Sequence, residues 1–157
     1  MRLLQIIIIT VLLTTGLAYS QEKVKPSVNW ISFEQLEDSL QTNPKPVLLF
    51  FHTDWCSYCK KMLRETFTAP EVIEKLNSHY YAVEFDAESI DSIQFDGQIF
   101  KNDSPIKRTG KYHELAKILM RSENRAIFPT TMLLNEDFSV KTKKINYLSI
   151  KQILNIL

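Results

Sequence analysis

Cys56-Ser57-Tyr58-Cys59 is the group whose residue types and spacing point most directly to chemistry, and it uses both cysteines of a 157-residue chain. Placed in the first turn of a helix, sulfurs at i and i+3 are close enough to bridge with little backbone movement. The first of them then lies beside unpaired backbone N–H groups and the positive end of the helix dipole. Both stabilise a thiolate, lowering a cysteine pKa from about 8.5 by one to several units. Each unit is worth about 1.4 kcal/mol in favour of the anion. Such a thiolate attacks a disulfide, and a second thiol three residues on resolves the mixed intermediate. Cys56 is therefore assigned as nucleophile and Cys59 as resolving cysteine, with no cofactor beyond the redox-active Cys56–Cys59 disulfide and no metal. Two plainer uses compete. A static bridge over two intervening residues stabilises little through loop entropy. A metal site recruiting His52, four residues upstream, lacks a second C-x-x-C to complete a tetrahedral set. His52 is read instead as a strand-end residue, and Trp55 as a shield of the site or a contact for substrate.

That chemistry needs a buried strand feeding the start of a helix. Val47 to Phe51 is a continuous apolar run, the pattern of a central strand covered on both faces. Cys56 follows after Thr53-Asp54-Trp55, and a helix-compatible stretch runs to about Thr66. Upstream, Val28 to Ile31 reads as a short strand. Ser32 with Gln35 forms a capping-box pattern for a helix marked by Phe33, Leu36 and Leu40. Pro70 starts another helix through Leu76, and Tyr80 to Phe85 reads as a second inner strand. Asp96-Gly97 between Ile93-Gln94-Phe95 and Gln98-Ile99-Phe100 signals a two-residue hairpin turn. Tyr112, Leu115, Ala116, Leu119 and Met120 recur at helical spacing. Pro129-Thr130 opens a strand through Leu134, and Phe138 to Lys143 returns as an edge bearing Lys141, Lys143 and Lys144. Ser149 caps a last helix. His79 and His113 fall in ordinary helical or strand-edge contexts, and Trp30 reads as core. Asn102-Asp103-Ser104 fits a glycosylation acceptor, which matters only in a eukaryotic secretory pathway.

Residues 1–20 stand apart. Arg2, an apolar run from Leu3 to Leu13 broken only by Gln5 and Thr10, and Ala18-Tyr19-Ser20 form the three-part layout of a secretory signal. The run is shorter than the roughly 20 residues of a membrane span, although an uncleaved anchor is the rival reading. The mature chain is then 21–157, periplasmic or secreted, where a cysteine pair stays oxidised unless reduction is supplied. Charge is balanced, with 19 basic against 18 acidic residues. That excludes a basic nucleic-acid binder. Two cysteines exclude a disulfide-dense mini-scaffold, leaving one α/β domain.

The chain resembles the thioredoxin superfamily through Val47-Leu48-Leu49-Phe50-Phe51, Asp54-Trp55-Cys56-Ser57-Tyr58-Cys59-Lys60, Glu84-Phe85-Asp86 and Phe128-Pro129-Thr130. The stretch from Thr66-Phe67 to Pro70-Glu71-Val72 is similar to the exported group related to the C-terminal domain of transmembrane thiol-disulfide interchange reductases. The resemblance covers roughly residues 28–157. It implies a thioredoxin fold with a central mixed sheet flanked by helices. It also implies a cis-proline at Pro129 beside the cysteine pair, and a substrate-binding edge of Trp55, Phe128, Pro129 and Thr130. Residues 88–127 exceed the family's usual connection, so a hairpin and helix are expected as an insertion near the active-site rim, before the cis-proline strand. The family's buried acid falls on Phe50 and its partner lysine on Ala82, leaving Asp54, Glu84 or water for proton transfer. The expected function is an exported thiol-disulfide oxidoreductase, a reductase or isomerase acting as a monomer. Its partners are protein thiols or disulfides of exported proteins and a membrane thiol reductase or other thiol donor. The alternative is a non-catalytic binding module with a structural cysteine pair.

Overall fold

The computed structural model of the chain describes residues 25–121 and 126–157. The leader assigned to residues 1–20 lies outside the described residues. Ser32 opens α1 (Phe33–Thr42) through a reciprocal cap. Its hydroxyl accepts from the Gln35 N–H at 3.2 Å, and its own N–H donates to Gln35 Oε1 at 2.9 Å. Next come β1 (Val47–His52) and α2 (Ser57–Lys61), which runs on as a π-helical turn through Met62–Thr66. Pro70 occupies the first turn of α3 (Pro70–His79), which leads into β2 (Tyr81–Asp86). The hairpin strands β3 (Ile93–Phe95) and β4 (Gln98–Phe100) precede α4 (Glu114–Met120). The chain closes with β5 (Thr130–Leu134), β6 (Val140–Lys144) and α5 (Ile150–Ile156).

The main sheet has the order β2-β1-β5-β6. β1 pairs in parallel with β2, Val47 opposite Tyr81 and Phe50 opposite Glu84, and antiparallel with β5, Phe50 opposite Thr131. A parallel pair needs a crossover, and α2 with α3 supplies it. β6 is the exposed lysine-bearing edge. The strand expected at 28–31 shrinks to one bridge, Trp30 with Ala82, beside which the Ile31 N–H donates to the Ala82 carbonyl at 2.9 Å.

Strand alternation sorts β1 onto two cores. Leu48 and Phe50, with Leu133, face α2, α3 and α5, burying Cys59, Met62, Val72, Leu76 and Ile153. Val47, Leu49 and Phe51, with Met132 and Leu134, face α1 and α4, burying Phe33, Leu36, Leu115, Ala116 and Met120. This is a mixed sheet with helices on both faces.

Within 88–127 the two expected elements have different places. α4 is part of a core layer, whereas the hairpin is added to it. Asp96 and Gly97 have φ of 52° and 68°, the paired left-handed geometry of a tight primed turn. Phe95 packs 5.4 Å from the rings of both Phe33 and Phe138. The hairpin thus lies on the α1 side of the sheet, and the loop of residues 104–110 is what reaches the rim. His113, given no role on sequence grounds, is fully buried as the cap of α4. Its Nδ1 accepts from the Leu115 N–H at 3.2 Å, and its Nε2 lies 3.0 Å from the Asp91 carbonyl oxygen. Burial pushes the imidazole pKa down. The Asn102 amide is also structural, donating to the carbonyls of Ser89 and Lys111 at 2.9 Å each. Among the described residues no helix is long and apolar enough to cross a membrane.

Candidate active site

β1 delivers the chain to the site, and a tight turn re-aims it. The Cys56 N–H donates to the Thr53 carbonyl at 3.1 Å. Cys56 is the cap residue of α2, and its Sγ accepts from the Cys59 N–H at 3.1 Å. A sulfur in that position faces the unpaired donors of a helix start. Cys56 and Cys59 form a disulfide with Cα atoms 5.2 Å apart. Cys59 is fully buried and Cys56 is 5% exposed, so solvent reaches the pair only through Cys56. Trp55 and Tyr58 flank it with exposures of 53% and 61%.

Phe128 and Trp55 are brought together, ring centroids 6.0 Å apart and nearly edge-on. The Phe128–Pro129 bond is cis. Pro129 and Thr130 are both buried, and the Thr130 hydroxyl donates to the Ile127 carbonyl at 2.7 Å. Trp30 is half-buried, its ring 5.0 Å from Phe67.

The two acids read as proton acceptors sit in unlike places. Asp54 is exposed and paired with Lys107, which also pairs with Asp86. The Lys107 hydrogen bond holds the Asp54 carboxyl below its ordinary pKa, and the two carboxylates hold the ammonium above its own. An acid stabilised as an anion is a poorer proton acceptor. Glu84 pairs with His52 Nε2 at 3.2 Å, and the imidazole stacks 5.9 Å from Phe50. Phe50 and Ala82 are buried, so those two positions are wholly apolar.

Sequence reasoning missed Glu88. Only 2% exposed, it accepts the Trp55 indole N–H on both oxygens at 3.1 Å and the Gly110 N–H at 2.6 Å. Gly110 has φ of +80°, which a residue without Cβ adopts at no steric cost. Lys107 was missed as well. With Asp54, Trp55, Arg108 and Thr109, Glu88 and Lys107 line a shallow groove of about 390 Å³. No local pattern marks Glu88 or Lys107, because their partners lie 33 and 53 residues away. Among the described residues there is no cluster of three or more His, Cys, Asp or Glu able to hold a metal. The bonded pair at the helix start can cycle between disulfide and dithiol.

The chain matches the Thioredoxin-like domain family over residues 33–156. It is 40% identical over 48 residues to the Thiol:disulfide interchange protein DsbD of Campylobacter jejuni, a stretch that is 31% of this chain and 8% of that protein. The chain thus spans a small part of the length of the curated relatives it matches. Among solved structures, the DsbH oxidoreductase is similar with a TM-score of 0.57 at 18% identity over 90% of each chain. The oxidised C-terminal domain of Neisseria meningitidis DsbD is similar with a TM-score of 0.50 at 19% identity, over 78% of this chain and 86% of that one. At those identities the likeness is one of fold.

Proposed function

This chain belongs to the Thioredoxin-like domain family, a family of thiol-disulfide oxidoreductases, and from that premise we propose that it is an exported enzyme exchanging disulfides with protein substrates. The observation that carries the reading is the bonded Cys56–Cys59 pair at a strand-to-helix junction, with Cys56 5% exposed and Cys59 fully buried.

In the reduced protein the Cys56 thiolate, facing the Cys59 N–H, attacks one sulfur of a substrate disulfide. A Cys56–substrate bond forms, and the other substrate sulfur leaves as a thiolate. Cys59 then attacks Cys56, closing the Cys56–Cys59 bond and releasing the second substrate sulfur. Two electrons pass to the substrate, and a thiol donor must restore the pair. Trp55, Phe128 and Thr130 supply the edge along which an extended substrate segment lies, a form of strand addition. The proposed partners are protein thiols or disulfides of exported proteins, and a membrane thiol reductase or comparable donor that recharges Cys56. Export rests on the signal-like layout of residues 1–20.

The test is thiol trapping. In a Cys59→Ser variant, mixed disulfides with a model disulfide protein accumulate through Cys56. A Cys56→Ser variant traps none, and reduced wild type alkylates with iodoacetamide at mildly acidic pH. A reduced Cys56 that resists alkylation there, with no trapped species in either variant, would show a binding module with a structural cysteine pair.

A further inference from the structure

Replacing the family's buried acid by Phe50 leaves a mechanistic gap. Cys59 is fully buried, and its thiol must lose a proton before it can attack Cys56. Asp54 lies out on the surface beside Lys107, Glu84 is taken up by its pair with His52, and the Phe50 and Ala82 positions are apolar.

One polar side chain on this face of the sheet is unaccounted for. Thr131 is the cross-strand partner of Phe50. By strand alternation it shares a face with Leu133, which packs in the same core cluster as Cys56 and Cys59. Thr131 is fully buried, and among the described residues its hydroxyl has no hydrogen-bond partner. An orphaned buried hydroxyl destabilises the state that contains it, so it calls for an explanation. Its neighbour Thr130 is no parallel, since that hydroxyl is satisfied by the Ile127 carbonyl. The state described here is the disulfide, in which Cys59 carries no proton and no charge.

We propose that Thr131 is a positioning residue whose hydroxyl is the hydrogen-bond partner of Cys59 in the reduced enzyme. The inference rests on the redox reading above. When the pair is reduced, Cys59 becomes a thiol or thiolate and accepts the Thr131 O–H. In the resolving step the Cys59 thiol gives its proton to water, and its thiolate attacks Cys56. The Cys59–Cys56 bond forms, the Cys56–substrate bond breaks, and the departing substrate sulfur takes up a proton. Thr131 holds the attacking sulfur and stabilises its anion without itself being a base. Its hydroxyl gains a bond on reduction and loses it on oxidation, so Thr131 favours the dithiol.

The test is the equilibrium of the full protein with reduced and oxidised glutathione, which isolates that difference from overall folding. Thr131→Val, nearly the same shape, shifts the equilibrium about five- to tenfold towards the disulfide, and Thr131→Ser stays within about twofold of wild type. Thr131→Ala, which cannot clash, moves the same way as Val. If Val and Ala both remain within about twofold of wild type, the inference is overturned and the redox function stands. If the wild-type disulfide does not exchange with glutathione at all, the redox reading falls and takes this inference with it.

Discussion

The two flanks of the disulfide are held by different forces. On one side Trp55 is tied by its indole N–H to the buried Glu88 carboxylate, and the neighbouring Asp54 is clasped by Lys107. On the other, Tyr58 leans on Tyr147 with ring centroids 6.1 Å apart, and the Lys61 ammonium sits 5.1 Å over the Tyr147 ring. The first flank is built from directional, charged contacts supplied by residues 88–110. The second uses weak contacts of the exposed Tyr58 ring and one cation with the half-buried Tyr147 ring. A charge-assisted hydrogen bond to a buried group sets one geometry, while a tilted ring pair with one exposed member tolerates several. The Trp55 side is therefore the rigid wall beside the disulfide, and the Tyr58 side the adaptable one.

Removing the carboxylate gives the largest difference between the flanks. Glu88→Ala leaves the Trp55 and Gly110 N–H groups unpaired and costs about 2–3 kcal/mol of unfolding free energy. Urea denaturation measures it, and Trp55 emission reports the freed indole. A cost below about 0.5 kcal/mol would mean the carboxylate is not what holds that wall.

A smaller effect follows from Lys107→Met. Its pairs are partly exposed, so the loss is about 0.5–1 kcal/mol at low salt and less at high salt. Its pH dependence has a definite sign. The folded-state pKa of Asp54 is depressed by Lys107, so this stabilisation is fully present above the unfolded carboxyl value of about 3.9. It is lost as pH falls through the lower folded value. The stability gap between wild type and Lys107→Met is accordingly constant near neutrality and closes below about pH 4. A gap that persists in acid would assign Lys107 to packing through its stem instead.

The Tyr58 flank responds least. Tyr147→Ala costs about 0.5 kcal/mol or less beyond its lost contact area, because its two partners, the Tyr58 ring and the Lys61 ammonium, are solvent-exposed. Turnover of a small disulfide substrate stays at the wild-type rate. A drop comparable to that of Glu88→Ala would erase the distinction between the two walls.

Much of the scaffold was legible because it is written in short-range patterns. The apolar run Val47 to Phe51 is buried along its length, Ser32 and Gln35 cap each other, and Asp96-Gly97 makes the turn its dipeptide predicts. The misreadings came where burial depends on distant chain. Val28 to Ile31 meets β2 only at Ala82, through the Trp30 bridge and the Ile31 N–H. His113 looked unremarkable, yet a carbonyl 22 residues away engages its Nε2. The hairpin was expected at the rim, but Phe95 finds Phe33 and Phe138 on the α1 side.

By itself, the sequence determined the chemistry available to this protein. Two thiols three residues apart at a helix start are a local fact, since neighbouring sulfurs and backbone N–H groups meet within one turn whatever the rest of the chain does. The tertiary structure alone decided the surroundings of those thiols. It buried Cys59 and left an edge of Cys56 in solvent, brought Glu88 to Trp55 and Lys107 to Asp54, and set the Thr131 hydroxyl on the cysteine face without a partner. Those outcomes depend on which strand pairs with which and on which loop crosses the rim. Contacts between residues tens of positions apart carry no periodic signature in the chain, so they become visible only once the sheet is assembled.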